Sequence, residues 1–230
     1  MRPLLPVLAL FGIAISCAAQ PPVAALSFDE GQGRYAADSS PFGHRARITA
    51  PQWAPGKIGT ALSFAAEDAA VRLGRRAWLN LGQQITLEAW ICPGAPDDRS
   101  HIIIAKNDEY LLRLDKQPEG GRISFFVHVG TPAVNWEPRV SSKTPPQPGK
   151  WTHVVATWDG ASLRMYIDGE LHDERARVGF PNPNPYPVMV GNFEYPSCHG
   201  GNFGGLIDEV RIYDRALTAD EVTQRYLFAL

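Results

Sequence analysis

The sequence has few cysteines, no basic patch and none of the common catalytic signatures. Its 22 Lys and Arg stand against 24 Asp and Glu, a net charge of −2, and without a basic stripe nucleic acid is a poor partner. The six His show no H-E-x-x-H spacing for zinc. No Gly-x-Ser-x-Gly run offers a serine nucleophile. No transmembrane span is expected, because the apolar run Leu4 to Ile15 is too short to cross a bilayer. Neither repeat, linker nor shift of composition interrupts residues 20–230, so one domain is expected there. What is present suits a folded core: 44% of the residues are hydrophobic and 20% charged, which excludes global disorder.

Residues 1–19 stand apart from that domain. Arg2 gives a positive start, an apolar run follows, and Ser16-Cys17-Ala18-Ala19 supplies small residues for cleavage, the layout of a secretory signal. Two processing readings remain open. Cleavage after Ala19 would release a secreted or periplasmic protein beginning at Gln20, with 21 basic and 24 acidic residues and a net charge of −3. Alternatively, Ala14-Ile15-Ser16-Cys17 resembles a bacterial lipobox, which would leave Cys17 lipidated and the chain anchored at the cell envelope. Release is preferred, because the usual lipobox has Leu where this chain has Ala14. Either way Cys17 is removed from the folding problem. Cys92 and Cys198 then form an even pair in an oxidising compartment, expected as a disulfide. Two buried free thiols are the alternative, since sequence does not give their separation.

The folded part reads as short strands. Trp151 to Asp173 contains two strand patterns and the start of a third, separated by Asp159-Gly160 and Asp168-Gly169, a dipeptide favoured in tight hairpins. Leu163, Met165 and Ile167 alternate with Ser162, Arg164 and Tyr166, as a half-buried strand requires. Ile85 to Ile91 alternates likewise, with Trp90 on the polar side, and Arg122 to Val129 sets Ile123, Phe125 and Val127 against Phe126 and His128. Further strands are expected at 24–28, 46–48, 61–64, 69–73, 102–105, 110–114, 188–190 and 206–213. Residues 130–149, with five prolines, read as a long loop, and 180–187 is too proline-rich for a sheet interior. Thr218 with Glu221 three residues on reads as a capping box opening a short C-terminal helix. Many short strands with 21 Gly and 20 Pro between them indicate an all-β, two-sheet antiparallel sandwich.

A family resemblance sharpens this. The run Gly204-Gly205-Leu206-Ile207-Asp208-Glu209-Val210-Arg211-Ile212-Tyr213-Asp214-Arg215-Ala216-Leu217 resembles the closing strand of the laminin-G-like jelly rolls, in the concanavalin A-like lectin/glucanase superfamily. Leu87-Glu88-Ala89-Trp90, Gly149-Lys150-Trp151-Thr152-His153-Val154, Tyr166-Ile167-Asp168-Gly169, Phe28-Asp29-Glu30-Gly31 and Asp38-Ser39-Ser40 match further motifs in the family's order. The resemblance implies a concanavalin A-like jelly roll. It leaves the ligand open, because this fold serves sugar binders, adhesion modules and enzyme appendages.

It also implies sites. A calcium ion is implied at Asp38 and Asp208, with Glu30 a weaker addition, against the alternative of ordinary turn chemistry at each. A sugar site is expected on one sheet bearing Trp90, Phe126, His128, Arg164 and Tyr166, unless those aromatics merely cover the sheet. Trp136, Phe193, Tyr195 and His199, all in loops, are candidates for direct contact. Family glucanases carry Glu-x-Asp-x-x-Glu on a strand, which this chain lacks; Asp208-Glu209 followed by Asp214 has the wrong spacing. No catalytic residue is therefore assigned. The expected function is non-catalytic glycan binding outside the cytoplasm of a bacterium, possible alternatives being an adhesion module for a protein surface and a degenerate polysaccharide hydrolase or lyase.

Overall fold

A computed structural model describes residues 20–230 except 51, 81, 131–135 and 195–199. Residues 1–19, with Cys17 and both processing readings, lie outside the described residues. Sixteen strands run through those described: β1 (Ala24–Leu26), β2 (Tyr35–Ala37), β3 (Arg45–Thr49), β4 (Gln52–Pro55), β5 (Thr60–Ser63), β6 (Ala70–Gly74), β7 (Ile85–Cys92), β8 (His101–Lys106), β9 (Tyr110–Leu114), β10 (Ile123–Val127), β11 (Val140–Ser141), β12 (Thr152–Trp158), β13 (Ser162–Ile167), β14 (Glu170–Ala176), β15 (Val188–Val190) and β16 (Leu206–Tyr213). Helix α1 (Ala219–Phe228) follows.

The strands form two antiparallel sheets. One has the order β14-β13-β12-β7-β16-β5-β4, with β1 also beside β16; the other is β11-β10-β9-β8-β15-β6-β3-β2. Period-two alternation decides what lies between them. Ile85, Leu87, Ala89 and Ile91 from one sheet meet Ile123, Phe125 and Val127 from the other in a single buried cluster that also holds Leu163 and Met165. This is the jelly-roll sandwich that the strand pattern and the motifs anticipated.

The two Asp-Gly turns differ. At the β13–β14 hairpin Asp168 and Gly169 take φ of +50° and +83°, both left-handed, as the tight mirror-image turn requires. Between β12 and β13 the Asp159 carboxylate instead accepts the N–H groups of Ala161 (2.9 Å) and Ser162 (2.7 Å), closing a longer loop. Three strands escaped the sequence reading: β2, β4 and β11. Each is two to four residues long, too short for alternation to register, and each ends a sheet. β11 interrupts the expected 130–149 loop by pairing with Ser124 and Phe125 of β10.

Two carboxylates hold the turn between β4 and β5. Asp208, fully buried on β16, accepts N–H groups from Lys57 (2.9 Å), Ile58 (3.1 Å) and Glu209 (2.8 Å). Asp29 accepts from Thr60 at 3.0 Å. The approach leaves no room at residue 56, where a β-carbon would sit 2.7 Å from the Asp208 Oδ2. Glycine there is a steric requirement.

Helix α1 closes over the outer face of the first sheet. The capping box forms as read: the Thr218 hydroxyl accepts the Glu221 N–H at 3.3 Å, and the Glu221 carboxylate accepts the Thr218 N–H at 2.8 Å. Such a cap stabilises a helix by about 1 kcal/mol. Val222 drops from the helix into a small second core of Val155, Tyr166, Tyr213 and Leu217. Arg215 forks onto Glu221 at 2.7 and 2.8 Å and is the main reason its carboxyl is held down to about 2.

Two outcomes follow from these contacts. A depressed folded pKa gives Glu221 a stabilising contribution that is full above its ordinary value of 4.5 and is lost as pH falls toward about 2. Urea unfolding between pH 2 and 6 should therefore show a shallower acid loss in Glu221→Gln than in the native chain; identical slopes would refute this. Asp208→Ala leaves three N–H groups without their acceptor, and equilibrium unfolding at neutral pH should record a loss of about 2–4 kcal/mol.

Candidate functional site

The residues expected to share one sugar-binding sheet occupy opposite faces of the molecule. Trp90 and Tyr166 project outward from β7 and β13 of the first sheet, where α1 covers them to 3% and 4% exposure. Trp90 stacks on Tyr226 of the helix at 5.9 Å, tilts against His153 at 5.0 Å and lies under the Lys57 ammonium at 4.4 Å. Beside it Glu88 receives His153 Nε2 (3.1 Å), the Tyr213 hydroxyl (3.2 Å) and Arg225 Nε (2.5 Å). Burial pushes the Glu88 carboxyl up, but the His153 hydrogen bond and the charges of Arg225 and Arg211 outweigh it, and the net shift is downward. Arg164 is held between Asp159 (2.7 Å) and Glu174 (2.8 Å). None of the three presents a free binding surface.

Phe126 and His128 belong to the outer face of the second sheet. Phe126 is 4% exposed and packs with Ile102, Ala105 and Leu111, with Trp136 edge-on at 6.3 Å. The guanidinium groups of Arg113 and Arg139 lie over its ring at 4.9 and 5.3 Å. His128 is 1% exposed, donates Nδ1–H to the Asp108 carbonyl at 2.9 Å and tilts against Trp136 at 5.6 Å. Here the aromatics cover their sheet, the plainer of the two expectations. Phe193 packs against the same cluster and lines a separate groove of about 530 Å³ with Asp68 and Arg99. Tyr195, His199 and Cys198 lie outside the described residues. Cys92 is half-buried with its thiol pKa raised by burial, and has no disulfide partner among the described residues.

The carboxylates expected to hold calcium each accept backbone N–H groups. Asp38 accepts N–H groups from Ala25 and Ser40, both at 2.9 Å, and Glu30 accepts from Ala37 at 2.6 Å. Asp208 is committed to the turn after β4, and its carboxyl is pushed up to about 7, chiefly by burial, with the charge of Glu209 adding and the N–H groups opposing. The first and last strands do pair, Ala25 opposite Arg211. Yet among the described residues no three His, Cys, Asp or Glu side chains gather where they could hold a metal ion. One oxygen each of Asp38 and Glu30 takes these N–H groups, while the second Glu30 oxygen, Oε2, is buried with no hydrogen-bond partner among the described residues.

What does converge is a cleft of about 540 Å³ at one end of the sandwich, within the usual range for a small-ligand site. Its walls come from three directions. The proline-rich segment before β12 supplies Lys150 and Trp151, the β13–β14 hairpin supplies Asp168, Glu170 and His172, and α1 supplies Tyr226. Trp151 is half-buried and Glu170 exposed. The hairpin tip is pressed onto Tyr226, which a β-carbon at Gly169 would meet at 3.2 Å, and Thr223 donates to the Gly169 carbonyl at 3.1 Å. One Asp168 oxygen accepts the His153 N–H at 2.8 Å. His172 Nδ1 accepts the Lys143 N–H at 3.1 Å, so the neutral ring carries its proton on Nε2. Burial, and then the Lys143 charge, lower the His172 pKa. The arrangement offers an aromatic face, N–H donors and carboxylate acceptors around one open volume. Sequence reading passed over Trp151, His172 and Glu170, although Gly149-Lys150-Trp151 stood among the quoted motifs as a fold signal.

Comparison with known proteins agrees with this architecture. A profile of the Laminin_G_3 family, described as the concanavalin A-like lectin/glucanases superfamily, matches residues 65–223. Adhesion G-protein coupled receptor D1 of Homo sapiens is 31% identical over 116 residues, 48% of this chain and 12% of that protein. The sushi, von Willebrand factor type A, EGF and pentraxin domain-containing protein 1 of Rattus norvegicus is 29% identical over 97 residues, 39% of this chain and 3% of that protein. The chain thus spans only a small part of the length of these relatives. Among solved structures, domain 4 of AbnA, a GH43 extracellular arabinanase from Geobacillus stearothermophilus, in complex with arabinotriose, superposes with a TM-score of 0.64 at 23% identity, covering 89% of this chain and 98% of that one. The ligand-binding domain of botulinum neurotoxin serotype D in complex with N-acetylneuraminic acid gives 0.68 at 14%, covering 90% and 50%. At such identities these structures speak for the fold alone. The profile covers most of the sequence and the sandwich has the matching topology: the chain belongs to the Laminin_G_3 family of the concanavalin A-like lectin/glucanases superfamily.

Proposed function

We propose that this domain is a secreted, non-catalytic carbohydrate-binding module that takes a short glycan in the cleft beside Trp151. The observation that carries the reading is the half-buried indole on the wall of an open, largely polar volume. An aromatic face suits the apolar face of a sugar ring, while the surrounding donors and acceptors suit its hydroxyls. The arabinotriose and N-acetylneuraminic acid complexes of structurally similar domains support a glycan as the ligand class. The leader reading supports an extracytoplasmic location, the chain being released after Ala19 or held by lipid at Cys17. No helix of the described residues is long and apolar enough to cross a membrane. Non-catalysis rests on the missing Glu-x-Asp-x-x-Glu run and on Asp168, whose carboxylate supports the turn.

A second reading, adhesion to a protein surface, draws on the similarity to an adhesion receptor and on Val178 and Phe180, which are 77% and 73% exposed. Capture of one extracellular protein, insensitive to competing sugars, would favour it.

The test is a glycan array on residues 20–230 followed by calorimetry on the hits. Trp151→Ala should weaken binding at least tenfold, about 1.4 kcal/mol, with little change in melting temperature, and Trp136→Ala should leave affinity unchanged. Equal affinity in native and Trp151→Ala protein would remove the cleft from the account.

A further inference from the structure

We infer that the glycan held beside Trp151 continues over a ridge of prolines into a second pocket, so that the module takes long linear chains rather than short or terminal sugars. This rests on the carbohydrate-binding reading and specifies its ligand. Two cavities share one wall. Pro145 and Pro146 line both the cleft of about 540 Å³ and a smaller pocket of about 130 Å³. A chain that leaves the cleft across these two residues therefore meets the pocket next. Pro93, Pro96 and Gln117 help to enclose it.

The ridge is held in place before any ligand arrives. Proline fixes φ, and residues 145, 146 and 148 are all proline. Upstream, the Ser142 hydroxyl accepts the Ile123 N–H at 3.0 Å and donates to the Thr144 carbonyl at 2.7 Å. Downstream, the Gly149 N–H donates to the Pro93 carbonyl at 2.8 Å, which ties the segment to another wall of the pocket. Little ordering is left to oppose binding. Prolines also bring no N–H group to the crossing, so a sugar's C–H face meets them without stripping water from a donor.

The pocket supplies a polar partner beyond the ridge. Gln117 is exposed, and its carboxamide both donates and accepts. Gly121, at φ +60°, leaves the space that this group occupies: a β-carbon there would lie 2.8 Å from Gln117 Nε2 and 3.8 Å from the Pro145 Cβ. The carboxamide thus stands at the foot of the ridge, as Gln147 and Lys150 stand on the cleft side. Other polar side chains of the pocket are committed within the fold. His101 is bonded to the Asn202 carbonyl (2.8 Å) and to Asp97 (2.9 Å), and Asp115 to Arg113 (2.8 Å) and Ser124 (2.6 Å).

Calorimetry on residues 20–230 with matched lengths tests this: arabinotriose against arabinohexaose, xylotriose against xylohexaose, and cellotriose against cellohexaose. In the series that binds, the hexaose should bind at least about tenfold more tightly than the triose, beyond the gain of about fourfold that extra registers give a triose-sized site. Gln117→Ala, at an exposed position whose backbone N–H keeps its bond to the Asp97 carbonyl, should weaken hexaose binding by about threefold and leave the triose unchanged. Trp151→Ala should weaken both. A length gain under about tenfold, or a Gln117→Ala effect equal at both lengths, would overturn the inference. The carbohydrate reading would then stand on the loss in Trp151→Ala. Array hits confined to branched or terminal sugars would have the same meaning. Binding of no sugar here or on the array would overturn both.

Discussion

A buried carboxylate organises the half of this molecule built on the first sheet. Glu88 is 1% exposed in the middle of the first sheet, and a charge taken that far from water needs compensation from several directions. It obtains it from His153 on the neighbouring strand β12, from Tyr213 on β16 and from Arg225 on α1. Satisfying one side chain therefore fixes the register of three elements. Once Arg225 is drawn down, the next residue along the helix, Tyr226, sits over Trp90 and against the tip of the β13–β14 hairpin. The position of the cleft wall is thus a remote consequence of the need to neutralise Glu88.

The two outer faces of the sandwich are closed by different means. On the first sheet a helix does it, with apolar contacts around Val222. On the second, the side chains close it themselves, with Arg113, Arg139 and Trp136 packed around Phe126. Among the described residues neither face leaves a flat aromatic platform. The open cleft lies instead where loops leave the strands and the backbone is free to vary without disturbing the sheets.

The fold was legible to the extent that it depends on local pattern. Alternation separated Ile85, Leu87, Ala89 and Ile91 from Trp90 correctly, and the capping box at Thr218 and the hairpin at Asp168-Gly169 formed as read. Period two says which side of a strand faces inward, but it does not say to which sheet the strand belongs. Alternation turns Trp90 and Phe126 both outward, as if on one sheet, although β7 and β10 lie in different sheets. Nor does a strand announce that a helix at the far end of the chain will cover it. Trp151 was missed for a related reason. It stands just before β12, and only the return of β14 and α1 makes its surroundings a cleft. Asp38 and Asp208 illustrate a further limit: the backbone amides that they accept, 13 and 151 residues away for Ala25 and Lys57, are not legible in the sequence.

Strand β14 is the end of the first sheet, and it reads Glu170-Leu171-His172-Asp173-Glu174-Arg175-Ala176. Its unpaired backbone edge is a potential template for another chain, and its mixed charges and a register irregularity opposite Met165 and Tyr166 work against that use. A second copy approaching edge to edge would have to extend a ladder that is already irregular and charged. Such domains at high concentration would then remain separate units rather than grow into one continuous sheet.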